Sequence, residues 1–293
     1  MNKSRLISSL SYIALIILST PSTAATIGLS SIAEGGSTAS FRGELLNGAG
    51  NPAVGVILLH GRTGNADSAV VSELRQSINL AGYTTLSIDE PVPAAGTLFQ
   101  DYVNDVNGAN TVFPELYARV RTASNTLENL GVNQIVLLGF SLGGRMASAH
   151  VARGQIDELP IVGLIGVGLA GNSIDPLNAA LTLDEVSIPA LDIFGDNDID
   201  AVSTAAARQA AYNSGSGTDY IQKMVECVNP AIDCVPHNFD GYRGSGNPVL
   251  ETEVNHWLTS KAPLTPVPLP GAIYLFGTGL LGLLGISRRT KST

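Results

Sequence analysis

The residues of this chain best suited to chemistry lie in Gly139-Phe140-Ser141-Leu142-Gly143. A serine at the tip of a tight strand-to-helix turn takes a strained backbone. Its neighbours at minus two and plus two are pressed together, so both positions need glycine. The apolar run Ile135 to Leu138 before it reads as a strand buried on both faces, and Arg145 to Arg153 after it is compatible with a helix. Such a helix aims its first N–H groups at the serine, where an oxyanion develops in acyl transfer. The five-residue pattern alone is weak in a chain this rich in Gly and Ser. Its setting between strand and helix gives it weight.

A serine nucleophile needs a base, and the base needs a group to orient it. The chain has 4 histidines. His60 ends the first core strand, ahead of Ser141. His150 sits inside the following helix, about two turns on and pointing away. His256 lies beside Trp257 in the last helix, where a surface or capping role is expected. His237, in Cys234-Val235-Pro236-His237-Asn238-Phe239, stands on a loop after the last expected strand and is the candidate base. For the acid, Asp196, Asp198 and Asp200 compete at the end of the strand Ala190 to Phe194. The residues alone leave that choice open, and capping of the next helix is a bland account of Asp200.

Positioning these groups takes a frame. Val54 to Leu59, Thr84 to Ile88, Ile135 to Leu138, Ile161 to Leu169, Ala190 to Phe194 and Tyr220 to Val225 read as strands. Between them fall helical faces: Val70, Val71, Leu74 and Ile78, stopped at Gly82; then Leu116, Val120, Ala123, Leu127 and Leu130, stopped at Gly131. A helix over about Val202 to Tyr212 follows, and Leu250, Val254, Trp257 and Leu258 mark a last one. Thr26 to Pro52 offers an edge strand or two. Pro91 to Pro114 has few periodic apolars, and a connection that long is placed at the mouth of a site. Strand and helix alternate from Val54 to Leu258, which predicts an α/β fold with a doubly wound, mostly parallel sheet. About twenty residues between Gly171 and Ala190 leave no room for a large cap domain, so the site is expected to be open.

The 293 residues carry a net charge of -9 with only 14% charged residues, so no nucleic-acid partner is expected. Lys3 and Arg5, the apolar Leu6 to Leu18 and the small residues up to Ala25 read as a secretory signal peptide over 1–25, ahead of a domain over 26–262. Export puts Cys227 and Cys234 in an oxidising compartment, where a disulfide is expected. Those two thiols with His237 would supply three metal ligands and no evident fourth, so neither metal nor cofactor is expected. Residues 263–270 form a Pro-rich linker, Gly271 to Ile286 is apolar throughout, and Arg288, Arg289 and Lys291 close the chain. The expected topology is an exported domain, a membrane-spanning helix over 271–287 and a basic tail over 288–293 on the cytoplasmic side.

Two resemblances add to this reading. The last 27 or so residues, with Val267-Pro268-Leu269-Pro270, an apolar helix and an arginine cluster in that order, resemble the PEP-CTERM sorting signal. That resemblance implies recognition by an exosortase-type protease and a place at the cell envelope or outer surface of a Gram-negative bacterium. Residues 54–260 resemble the α/β-hydrolase superfamily. Within it they look most like exported bacterial proteins of unassigned function that carry the segment seen here as Ile188-Pro189-Ala190-Leu191-Asp192-Ile193-Phe194-Gly195-Asp196-Asn197-Asp198. Dienelactone-hydrolase-like esterases are next.

The superfamily order is nucleophile, acid, histidine, and its Gly-x-x-Asp pattern implies Asp198 as the acid between Ser141 and His237. His60-Gly61-Arg62 resembles the oxyanion loop, which implies the backbone N–H groups of Arg62 and Leu142 as oxyanion donors. The departure is at the histidine, where a cysteine-bearing loop replaces the usual Gly-Ala-Asp-His-x-Phe. The expected activity is hydrolysis of a carboxylic ester, a small one or an acyl group on a polysaccharide. The alternative is a catalytically silent hydrolase fold kept as a surface or matrix-binding module.

Overall fold

The computed structural model describes residues 23–49, 53–94, 96–103, 112–154, 159–226 and 234–264. Residues 1–22 of the expected leader (1–25), Cys227, and residues 265–293, with the expected membrane helix (271–287) and basic tail (288–293), therefore lie outside the described residues, while Ala25 opens the first strand. Within them, no helix is long and apolar enough to cross a membrane.

One sheet organises the described chain. Its strands are β1 (Ala25–Ile32), β2 (Thr38–Leu46), β3 (Val54–Leu59), β4 (Thr84–Ile88), β5 (Gln134–Phe140), β6 (Ile161–Val167), β7 (Ala190–Gly195) and β8 (Tyr220–Val225). They run in the order β1-β2-β4-β3-β5-β6-β7-β8. The pairs β1–β2 and β2–β4 are antiparallel and every pair from β4 onward is parallel. The small polar stretch after Ala24 thus supplies an edge strand and one that joins it to the parallel sheet. The reversal of strand order around β3 and β5 is where doubly wound sheets open a crevice at their carboxyl ends.

Burial follows the pleat. Val56 and Leu58 of β3 face one cluster, with Val70, Val71, Leu74 and Ile78 of α1 (Ala69–Leu80) and Val254 and Leu258 of α7 (Val249–Lys261). Ile57 and Leu59 face the other, with Leu116, Val120 and Leu127 of α3 (Val112–Glu128) and Leu142 and Met146 of α4 (Leu142–Arg153). All six residues of β3 are buried, because a parallel strand covered by helices on both faces has no solvent side.

The periodic apolar face of α3 ends earlier than its spacing implies. The helix stops at Glu128, and Leu130 lies in the following turn at 40% exposure, ahead of Gly131 with φ +91°. Likewise β6 ends at Val167, because Gly168, at φ +62°, turns the chain. The described residues of the Pro91 to Pro114 connection include a short helix, α2 (Phe99–Val103). Between Gly171 and Ala190 there is one four-residue helix, α5 (Ala179–Thr182), and a 3-10 turn, so among the described residues no large cap covers the sheet. The helix α6 (Ile199–Ser214) follows β7.

Candidate active site

Ser141 stands between β5 and α4 with φ 54° and ψ -113°, a conformation that costs a non-glycine residue on the order of 1–3 kcal/mol. The flanking glycines are required by contact. A Cβ on Gly139 would lie 2.1 Å from the Gly143 carbonyl oxygen, and one on Gly143 would lie 2.4 Å from the His60 carbonyl oxygen. The strained turn is held from the sheet side, where the Ser141 N–H donates to Val167 O at 2.8 Å.

His237 reaches this serine from a separate loop, with its Nε2 2.8 Å from Ser141 Oγ. Its Nδ1 is 2.8 Å from Asp198 Oδ2. In the tautomer these distances suit, Nδ1–H donates to the carboxylate and Nε2 accepts from the serine hydroxyl. Asp198 is 5% exposed and its other oxygen accepts from Ala201 N–H at 3.3 Å, so one carboxylate caps α6 and orients the imidazole. The capping role considered for Asp200 therefore belongs to Asp198. Asp200 sits in the first turn of α6 and accepts from Asn172, while Asp196 accepts from the Tyr242 hydroxyl at 2.6 Å.

The loop bearing His237 is short and tethered at both ends. Val235 and Asp240 form an isolated bridge, Phe239 is fully buried, and Cys234 packs against the same apolar cluster. A Cβ on Gly195 would meet Pro236 at 2.9 Å, so β7 and this loop touch backbone to backbone. Arg243 then ties the loop to α1. Its Nε donates to Asn238 O at 3.1 Å, Nη2 to Asp240 at 2.5 Å and Nη1 to Glu73. Nothing in the local sequence signals Arg243, whose main partner is 170 positions away.

The remaining histidines are committed elsewhere. His60 is buried, its Nδ1 lies 2.7 Å from Gly61 O, and its Nε2 accepts from the Glu90 N–H at 3.0 Å. Desolvation lowers its pKa below the usual histidine value and keeps it neutral at physiological pH. His150 packs edge-on to the Tyr117 ring, on the far side of α4, and His256 is exposed on α7.

The segment expected to form the oxyanion loop, His60-Gly61-Arg62, lies against Ser141. A Cβ on Gly61 would be 3.4 Å from Ser141 Cβ and 2.9 Å from the Phe140 ring, which places Arg62 beside the serine. Gly64 N–H closes a turn onto Gly61 O at 3.0 Å, with Thr63 at φ +62°. Leu142 is the first residue of α4, where N–H groups lack intrahelical partners. Among the described residues, the non-glycine residues at positive φ are Thr63, Ser141 and Phe239. They fall on the three loops that meet at this point. Strain gathered in this way marks sites whose geometry the surrounding structure enforces.

A cleft of about 550 Å³ opens beside Ser141 and His237, walled by Arg62, Phe99, Arg145 and Ile199. A second lobe of about 340 Å³ continues past the same serine along Thr63, Thr97, Leu98 and Asn238. Phe99, from the Pro91 to Pro114 connection, lies under both guanidinium groups, 5.1 Å from Arg62 and 4.7 Å from Arg145. Burial lowers the pKa of Arg145 to about 10, so it stays charged, and Leu177 O and Asn172 Oδ1 accept from it. Among the described residues no group of three or more His, Cys, Asp and Glu side chains is arranged to hold a metal ion.

No protein-family model matches the chain, and no curated protein matches it. Solved structures do. A dienelactone hydrolase from Anabaena variabilis superposes with a TM-score of 0.56 at 17% identity, covering 82% of this chain and 99% of that one. An esterase from Pyrococcus furiosus gives 0.56 at 14% identity, covering 81% and 93%. A soluble variant of the monoglyceride lipase of Saccharomyces cerevisiae, in complex with a substrate analogue, gives 0.55 at 13%, covering 86% and 99%. At such identities the likeness speaks for the architecture, and the architecture of this chain is the α/β-hydrolase fold.

Proposed function

We propose that the chain is a serine hydrolase of carboxylic esters, working through an acyl-Ser141 intermediate. The observation that carries this reading is the continuous hydrogen-bonded line Ser141–His237–Asp198, with 2.8 Å at each link. In the proposed reaction Ser141 Oγ attacks the ester carbonyl carbon while His237 Nε2 takes its proton. Asp198 steadies the imidazolium that forms. The carbonyl oxygen, now an anion, accepts from the N–H groups of Arg62 and Leu142, an interaction worth a few kcal/mol of barrier. His237 then gives the proton to the departing alkoxide, and water repeats the sequence to release the acid. That the structural neighbours include a dienelactone hydrolase, esterases and a lipase supports the same reaction class.

The open two-lobed cleft suits a small ester or an acyl group displayed on a polysaccharide. We further propose that the chain is exported, that Cys227 and Cys234 pair, and that an exosortase-type protease acts on its C-terminal signal at the membrane. These last readings rest on the sequence at its two ends.

The test is labelling of the full chain, produced with export, by a fluorophosphonate probe beside Ser141→Ala and His237→Ala. Labelling of the unaltered protein alone is the expected result. A folded protein that does not label would favour a silent binding module.

A further inference from the structure

Glu90 follows β4 directly and is the least explained charged residue near the site. It is 3% exposed, and among the described residues neither carboxyl oxygen has a hydrogen-bond partner. Its position is shared between the two halves of the oxyanion hole. On one side, Oε1 lies 2.6 Å from where a Cβ on Gly143 would stand, one residue past the Leu142 N–H. On the other, its own N–H donates to His60 Nε2, whose Nδ1 holds the Gly61 carbonyl just before Arg62. Oε2 is 3.8 Å from His60 Nδ1. A leucine or glutamine would fill this space without the cost of burying an acid, so packing alone does not account for a carboxyl group here.

Resting on the ester-hydrolase reading above, we propose that Glu90 is a positioning residue of the oxyanion hole that works as a neutral carboxylic acid, and that its ionisation on the alkaline side turns the site off. As a neutral group it buttresses Gly143 and the His60–Gly61 segment, and both donors keep their aim. As a carboxylate it places a negative charge beneath donors meant for an oxyanion, and like charges in a poorly solvated interior oppose each other strongly.

The surroundings fit a neutral resting state. The charged and titratable groups near Glu90 are His60 at the end of β3, Asp89 beside it, Arg119 on α3, Tyr102 on α2 and, through Asp89 and His60, Arg42 on β2. His60 is neutral, Asp89 opposes ionisation, and Arg119 favours it but is already engaged by Glu115 and the Asp89 carbonyl. Desolvation outweighs all of these and raises the Glu90 pKa well above its ordinary value.

The experiment measures kcat/KM on an uncharged p-nitrophenyl ester and the rate of fluorophosphonate labelling from pH 6 to 10. It compares the full chain with Glu90→Gln and Arg119→Gln. In the unaltered protein both rates should fall about tenfold per pH unit above the titration of Glu90. Glu90→Gln should keep neutral-pH activity within about threefold and lose that alkaline limb. Arg119→Gln, which removes the cation favouring ionisation, should move the limb to higher pH.

Thermal unfolding gives a readout independent of turnover. An acid whose folded pKa is raised binds more protons folded than unfolded, so stability falls as pH rises from the ordinary carboxylate value toward the folded one. Glu90→Gln should be flatter across that window and at least as stable at pH 8. An alkaline limb unchanged in Glu90→Gln, or a large loss of activity at neutral pH, overturns the proposal. Labelling with an unaltered pH profile removes only the role of Glu90, whereas no labelling of the unaltered protein at any pH removes the hydrolase reading with it.

Discussion

Arg243 offers a sharp test of how the candidate base is held. The His237 side chain is 44% exposed, so packing does little to fix it, and its loop depends on tethers. Arg243 supplies three: to the Asn238 carbonyl, to Asp240, and across to Glu73 on α1. Buried hydrogen bonds to charged groups are each worth about 1.5–3 kcal/mol. Here Glu73 and Asp240 are 38% and 45% exposed, and solvent screening reduces such pairs toward about 0.5–1 kcal/mol. Taking both acids at that value and about 1 kcal/mol for the carbonyl bond, Arg243→Met should release about 2–3 kcal/mol of loop restraint. If most of that falls on the aligned state of His237, kcat for an uncharged ester drops about 30- to 100-fold, because each 1.4 kcal/mol is a factor of ten. KM should stay within about threefold, since Arg243 stands outside the cleft beside Ser141. Steady-state kinetics and thermal unfolding together make the assay, with Glu73→Gln as the second corner of a double-mutant cycle. The two substitutions should be strongly non-additive. A kcat within twofold of the unaltered protein, or a loss that merely follows the melting temperature, would refute the reasoning.

Two further outcomes follow from buried charge. Asp192 and Arg208 form a pair at 2.8 Å with side-chain exposures of 1% and 0%, and Tyr220 and Gln222 also donate to the same oxygen. Asp192→Asn strands the guanidinium and should cost about 3–5 kcal/mol, read as a lowered denaturant midpoint with the slope unchanged. His60 has its folded pKa depressed by burial, so below the unfolded value it binds fewer protons folded than unfolded, and stability falls as pH drops through about 6.5 and below. His60→Asn should be less stable at pH 8 yet lose less on acidification to pH 5; an equal loss in both proteins would show that His60 titrates normally.

The parts of this molecule that sequence discloses are those whose requirements are local. The turn at Ser141 needs Gly139 and Gly143 within two residues on either side, so its contacts are written into five consecutive positions. The strand before it likewise declares itself by the unbroken apolar run Ile135 to Leu138. The choice of Asp198 over Asp196 and Asp200 is half local. The Gly195-to-Asp198 spacing sets a turn, with Asp198 N–H on Gly195 O at 3.1 Å, but only the arrival of His237, 39 positions on, shows which carboxylate it meets. The same turn explains why capping and orientation coincide: Asp198, which follows the turn after β7 and caps α6, has one oxygen for each.

Where a group's partners come from distant segments, local pattern is silent. Leu130 fits a helical period that the Leu127 carbonyl closes off by accepting from Leu130 and Val132 instead. Glu90 reads as one more polar residue at a strand end, because what buries it is a helix start at Gly143 and a strand end at His60. Arg243 stands in a Gly- and Asn-rich stretch that looks like a plain connection until α1 is laid beside it. These two residues lie beside the candidate site without belonging to its motif, and each touches more than one of the segments gathered around Ser141. A search for further determinants of this site should therefore follow buried charges shared between loops, since the nucleophile motif alone specifies one loop of the three.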